Sequence, residues 1–175
     1  MSHTDPTPVV KFLDWDSQFF TQRIGRVISP VLTNALMAEI NAFAVQNKLD
    51  CLYFLADSAQ RDTILLAEQD AYRLVDIRMT FKRKLGLPPQ PIDGPIRLVK
   101  ESDLPYLKQI AASAYTDTRF YADSHFNRSQ CSQMYEIWVQ KDCQNPDGCV
   151  WIYEENQVPV GFVTCLLYTS PSPRD

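Results

Sequence analysis

Ten residues near the middle of the chain, Gly86 to Pro95 (GLPPQPIDGP), constrain the fold more than any other stretch. Pro88, Pro89, Pro91 and Pro95 restrict the backbone and remove hydrogen-bond donors, so the stretch reads as a stiff linker. Apolar patterning stops before it and restarts after it. A chain of 175 residues, 45% hydrophobic and 22% charged, has the composition of a globular protein and supports one domain or two small ones. Disorder, collagen and coiled coil are excluded as readings of the whole chain.

Glycine usage narrows the chemistry. Gly25, Gly86, Gly94, Gly148 and Gly161 are the complete set, and no two lie closer than Gly86 and Gly94. Neither GxGxxG nor GxxxxGK can be written from them, which excludes a glycine-rich phosphate cradle. Seventeen basic and 21 acidic side chains leave a net charge of −4, giving no general attraction to nucleic acid or anionic lipid. No run approaches the roughly 20 apolar residues of a membrane span, and Met1 to Pro8 is polar, so the expected location is the cytoplasm. Five cysteines without a secretion signal point to reduced thiols. Cys143 and Cys149 lack a second ligand pair, and His3 and His125 lie elsewhere in the chain, so no metal is expected.

Before the linker, Val9 to Leu13 and Ile24 to Ser29 have the character of short strands. Thr33 is placed to cap a helix whose Leu36, Ile40 and Phe43 share a face. Cys51 to Ala56 is an apolar run suited to a strand buried on both faces, and Ser58 is expected to cap a helix reaching Ala71. In Tyr72 to Leu85, residues Leu74, Asp76 and Arg78 alternate with Val75, Ile77 and Met79, the period of a half-buried strand. Strand, helix, strand implies a crossover, hence an α/β unit. Trp15, Asp16, Phe19 and Phe20 read as a staple for this half, against a place in a binding site. Lys82, Arg83 and Lys84 read as a solvated strand end.

After the linker, Ile96 to Val99 suits a strand. Ser102 or Asp103 is expected to cap a helix that tolerates Pro105 in its first turn and buries Leu104, Leu107, Ala111 and Ala114. The loop Tyr115 to Arg128 leads to a helix from Ser129, where Cys131, Met134, Tyr135, Trp138 and Val139 fall on one face. Val150 to Tyr153 and Val158 to Thr164, joined at Glu155, Asn156 and Gln157, predict an antiparallel hairpin, with Trp138 and Trp151 on buried faces. The expected divisions are 1–85, a linker at 86–95, a second domain at 96–165, and a tail at 166–175. That tail, LLYTSPSPRD, resembles the translation of a sequencing adapter, against a natural disordered terminus; on the adapter reading the native sequence is expected to end near Thr164 and the chain to be truncated.

Ile96-Arg-Leu-Val-Lys-Glu-Ser-Asp-Leu-Pro-Tyr-Leu, the two helices, and Val150-Trp-Ile-Tyr-Glu-Glu-Asn-Gln-Val-Pro-Val-Gly-Phe-Val-Thr together resemble the opening half of the GNAT acetyltransferase superfamily. Asp14-Trp-Asp-Ser-Gln-Phe-Phe, the linker, and Ser113-Ala-Tyr-Thr-Asp-Thr-Arg-Phe-Tyr-Ala-Asp-Ser-His-Phe resemble its dTDP-fucosamine acetyltransferase branch. The resemblance implies an α/β, GNAT-like fold: an N-terminal half-GNAT-like support domain, then the first half of a C-terminal GNAT domain. It implies transfer of acetyl from acetyl-CoA to the amine of a dTDP-linked amino sugar, with a homodimer possible for the full-length parent.

The family grips the pyrophosphate of acetyl-CoA with an Arg-x-x-Gly-x-Gly/Ala loop at a helix start and uses a C-terminal tyrosine as acid. No glycine follows Gly161, so no catalytic acid and no acetyl-CoA ligand is assigned to any residue of this chain. The resemblance places the acceptor pocket beside the loop between the two helices. The candidate substrate-binding residues there are Asp117, Arg119, Tyr121, Asp123 and His125, set among Phe120 and Phe126. Arg119 suits a nucleotide phosphate, against a surface ion pair with Asp117 or Asp123. His125 suits an ammonium proton, against a purely solvated side chain. For Tyr121 and Phe120, packing into the core competes with stacking on a base or sugar. Two other functions compete: a GNAT acting on an amino acid or protein amine, and a non-catalytic binding module.

Overall fold

The computed structural model describes residues 8–80 and 94–166. It is mixed α/β, with two three-stranded sheets and six helices among the described residues. The chain divides at Leu74 and Val75 into two compact units.

In the first unit, β1 (Val10–Phe12), α1 (Asp14–Phe20), β2 (Ile24–Val27), α2 (Asn34–Gln46), β3 (Cys51–Tyr53) and α3 (Arg61–Gln69) follow in order. β1 pairs antiparallel with β2, Lys11 opposite Arg26, and β2 pairs parallel with β3, Gly25 opposite Leu52. The parallel pair is bridged by α2, the crossover that a parallel connection demands. Thr33 caps α2 as its sequence predicts, accepting a hydrogen bond from the Leu36 amide at 3.2 Å. Asp14 and Asp16 occupy the first turn of α1 beside the positive helix end, and the helix stops at Thr21, whose φ of 57° is left-handed. Ser17 ties that turn to β2: its Oγ accepts from the Ile24 amide at 2.9 Å. The core collects Val10, Val27, Leu32, Met37, Ile40 and Ala67. Gly25 lies buried within it, where a Cβ would sit 2.9 Å from both Leu49 Cδ1 and Val10 Cγ1. On α3, buried Thr63 accepts the Leu32 amide at 3.1 Å, satisfying a donor that has left regular structure.

Three expectations for this half are corrected. The run from Cys51 forms a strand only to Tyr53 and is half-buried, because β3 pairs on one side and ends its sheet. The helix begins at Arg61, not Ser58, since Asp57 Oδ1 accepts the Ala59 amide and folds that stretch as a turn. Residues 72–80 join no strand, and Leu74, Ile77 and Met79 stand 82%, 71% and 70% exposed. The remainder of that segment, the basic triplet and most of the linker lie outside the described residues.

The second unit runs β4 (Ile96–Leu98), one 3₁₀ turn at Glu101–Asp103, α4 (Leu104–Ala114), α5 (Arg119–Ala122), α6 (Arg128–Gln144), β5 (Gly148–Glu155) and β6 (Val158–Leu166). Its sheet is antiparallel throughout, in the order β4-β5-β6. The hairpin turns at Asn156 and Gln157, both left-handed with φ of 51° and 66°, the pattern of a tight I′ turn. α4 and α6 pack together and cover one face of the sheet, burying Leu107, Ala111, Met134, Val139, Val150 and Ile152. α6 starts at Asn127, whose Oδ1 accepts from the amides of Ser129 and Gln130.

Neither Ser102 nor Asp103 caps α4 through a side-chain hydrogen bond. Asp103 instead reaches backward, accepting the Lys100 amide at 2.7 Å and both terminal nitrogens of Arg97 at 2.7 and 2.9 Å. Arg97 Nε also donates to Glu154 at 2.9 Å, so one guanidinium joins β4, the turn before α4, and β5. Hydrogen bonding from Arg97, reinforced by the Lys100 amide, holds the Asp103 carboxyl below the usual carboxylate range despite burial. Trp151, expected to be buried, is 40% exposed: Val150 and Ile152 take the covered face, leaving Trp151 and Tyr153 with Ile96 and Leu98 on the other. Ala114 is likewise exposed at the end of α4.

Candidate functional site

The stretch between α4 and α6, expected as a loop, contains the single turn of α5. Two hydroxyl contacts bind it to α6. Tyr135 donates to Thr118 Oγ1 at 2.7 Å, just before α5, and the Tyr121 hydroxyl shares a hydrogen bond of 2.8 Å with Ser132. Cys131 Sγ donates to the Phe120 carbonyl at 3.4 Å, and burial raises its thiol above the ordinary value.

Beneath these contacts lies a group of aromatic rings. Phe120 and Phe126 meet edge to face at 5.6 Å and are 1% and 4% exposed. Phe120 also meets Trp138 at 5.9 Å and Tyr135 at 6.5 Å. Tyr135 is the hub: Tyr115 stacks on it at 4.7 Å and 24°, and Tyr121 lies parallel at 6.5 Å and 9°. Burial raises the Tyr135 phenol above its usual value, partly offset by its hydrogen bond to Thr118, so it is un-ionised near neutral pH.

The five candidate residues divide within this frame. The Arg119 guanidinium lies 4.6 Å over the Phe120 ring. Tyr121 is engaged through its hydroxyl and carries Arg128 over its ring at 5.9 Å. Asp123 Oδ1 accepts both the His125 amide at 3.0 Å and a 2.7 Å contact from His125 Nδ1, so the imidazole is oriented although its side chain is 81% exposed. Asp117 stands exposed before Thr118, outside the Asp123–His125 pair. The structure thus gathers Arg119 and Tyr121 onto the aromatic group and pairs Asp123 with His125.

Four further residues belong to the arrangement: Tyr115, Thr118, Arg128 and Tyr135. In the sequence, Tyr135 is visible as a residue of the buried face of α6. Its hydroxyl contact to Thr118, 17 positions earlier, leaves no local pattern. Among the described residues, no group of three His, Cys, Asp or Glu side chains is placed to hold a metal ion. No described helix is long and apolar enough to cross a membrane. No protein-family model matches the chain, and no curated protein matches it.

Proposed function

We propose that this chain carries the acceptor side of a GNAT-like N-acetyltransferase whose acceptor is the amine of an amino-sugar nucleotide. The observation that carries the reading is the stretch from Tyr115 to Arg128, which sets two guanidiniums against ring faces and holds an imidazole on a carboxylate, all anchored to α6. The order β4, α4, α5, α6, β5, β6, with the helices on one face of an antiparallel sheet, supports it.

In this reading Arg119 and Arg128 bind the phosphates of the acceptor, since guanidinium stays charged at every working pH. His125 takes a proton at Nε2 from the acceptor's ammonium group, leaving the uncharged amine that nucleophilic attack requires, and Asp123 stabilises the imidazolium formed. Acetyl-CoA would supply the acetyl thioester, and the residues here do not fit it. The first amides of α6 are already taken by Asn127 Oδ1, and in the turn leading into α4 the exposed acidic Glu101 repels an anion while Arg97 is already held by Asp103 and Glu154. Gly148 and Gly161 lie inside β5 and β6, away from any helix start. No step of donor binding is therefore assigned to this chain.

The same misfit favours a second reading, a non-catalytic module that binds a nucleotide sugar. Calorimetry separates the readings. Thymidine diphosphate is expected to bind and CoA to give no heat, with acetyl transfer undetectable for the chain alone. Micromolar CoA affinity overturns the donor misfit, and preference for a peptide amine over the nucleotide overturns the acceptor assignment in favour of a protein or amino-acid amine. For the second reading, the deciding variant is His125→Gln: it should leave nucleotide affinity unchanged in a binding module, and abolish the pH dependence of amino-sugar binding in an acceptor site.

A further inference from the structure

Four of the five candidate residues lie on or beside one short piece of chain. α5 carries Arg119 at its first position and Tyr121 at its third, and it ends on Asp123, whose carboxylate holds His125. Its own backbone bonds are those of a single turn. The Tyr121 and Ala122 amides donate to the Thr118 carbonyl at 2.9 and 3.0 Å, and the Asp123 amide donates to the Arg119 carbonyl at 3.1 Å. A helix of four residues is far shorter than one that sustains itself in water, so its orientation comes from what grips it.

Three grips hold it against α6. The Phe120 ring is buried and its carbonyl accepts Cys131 Sγ at 3.4 Å, which fixes the depth of the turn. The Tyr121 hydroxyl meets Ser132 Oγ at 2.8 Å, and the Tyr135 hydroxyl donates to Thr118 Oγ1 at 2.7 Å. A turn pegged by one buried ring can still rotate about it; hydroxyl contacts before and after Phe120 in the chain remove that rotation. Thr118 is the residue that would ordinarily cap α5, yet its side chain makes no cap hydrogen bond and its oxygen serves Tyr135 instead. Tyr135 also lies edge-on to Phe120 and parallel to Tyr121, each at 6.5 Å, so a single side chain meets all three gripped residues.

We propose that Tyr135 is a positioning residue, whose hydroxyl, acting through Thr118, sets the rotation of α5 and so the arrangement of Arg119, Tyr121 and the Asp123–His125 pair that a phosphate-bearing ligand meets. This rests on the amino-sugar-nucleotide reading and adds to it: a buried residue that touches no ligand determines how well the ligand is held. Preorganisation of this kind shows in affinity, because a site already in its bound geometry needs none of the binding energy to order itself.

The test compares Tyr135→Phe, which keeps the ring and its stacking, with Thr118→Val, which removes the acceptor, with the double variant, and with Thr118→Ser, which keeps the oxygen. Amide hydrogen exchange is followed without ligand, and inorganic pyrophosphate and thymidine 5′-diphosphate are titrated into the full chain by calorimetry. Tyr135→Phe is expected to speed exchange at residues 121–123 and to weaken both ligands about fivefold, the scale of one hydrogen bond, with α4 and β5 still protected. Thr118→Val should do the same, the double variant no more than either alone, and Thr118→Ser should match the unaltered chain.

Losses that add in the double variant overturn the proposal, since the two groups then do not act through one contact. So does a folded Tyr135→Phe chain that leaves exchange at residues 121–123 unchanged. A Tyr135→Phe chain that fails to fold passes the decision to Thr118→Val, which must show the same local exchange and the same loss of affinity. The two readings fail separately. If neither ligand binds the unaltered chain, the sugar-nucleotide reading falls, and exchange at residues 121–123 still decides whether Tyr135 fixes α5. If both bind and the variants leave affinity intact, the positioning role falls and the acceptor reading stands.

Discussion

The two units solve the same problem, covering a small sheet with helices, by opposite means. The first relies on close approach: strands of three or four residues, a buried glycine with no room for a methyl group, and a threonine hydroxyl serving a stray amide. The second relies on reach, with a hairpin of eight- and nine-residue strands, a helix of 17 residues, and one arginine spanning two carboxylates. Short elements leave little redundancy, so atoms must fit. Long elements tolerate loose surfaces and place their specificity in a few polar links and stacked rings.

The contrast is broken most forcefully at Asp103. Asp103→Ala leaves Arg97 facing Glu154 alone and removes the acceptor of the Lys100 amide, so it should cost about 3 kcal/mol, seen in urea melts followed at Trp138 and Trp151. Its acid dependence follows from sign. Because the folded carboxyl titrates below its unfolded value of about 3.9, its contribution is complete above that pH and is lost as pH falls through the lower folded value. Asp103→Asn should flatten that acid-side loss; an unchanged profile would show that the Asp103 carboxyl is not its cause.

The next effect belongs to the first unit. Gly25→Ala forces Leu49 and Val10 apart and should cost about 2 kcal/mol, read as lost amide protection in β1, β2 and α2 with β5 and β6 unaffected. Equal loss in both units would dissolve the distinction between them. The smallest effect sharpens it: Gln157→Gly relieves a left-handed side chain at the hairpin tip and should stabilise the second unit by about 0.5 kcal/mol in the same melts.

Much of this architecture was legible in the sequence where local rules suffice. Thr33 announces the start of α2, the spacing from Cys131 to Val139 announces α6, and the polar tip at Asn156 announces the hairpin. Legibility fails where a partner decides. Residues 74–79 alternate as a strand should, but alternation only says which side chains would share a face; among the described residues no strand lies beside them, and a strand forms only against a neighbour. Periodicity does not place Trp151: both parities of β5 are apolar, so the pattern cannot choose between Val150 with Ile152 and Trp151 with Tyr153. α1 is too short for its period to register. Of the site, the charged residues were visible as a cluster in the sequence, while Tyr115 gains its place only through a ring 20 positions later.

β6 carries no charged side chain along its length, and among the described residues it pairs only with β5. Natural sheets commonly defend such a margin with lysine or with a kink; here the impediments are Pro159 and the shift in register opposite Tyr153 and Glu154, both near the start of the strand. The margin is thus a template onto which any extended, uncharged peptide can be zipped, beside an oily floor of Trp151 and Val163. Concentrated samples should therefore nucleate fibrils from this strand first, and a lysine at Val160 should delay thioflavin fluorescence without altering the fold.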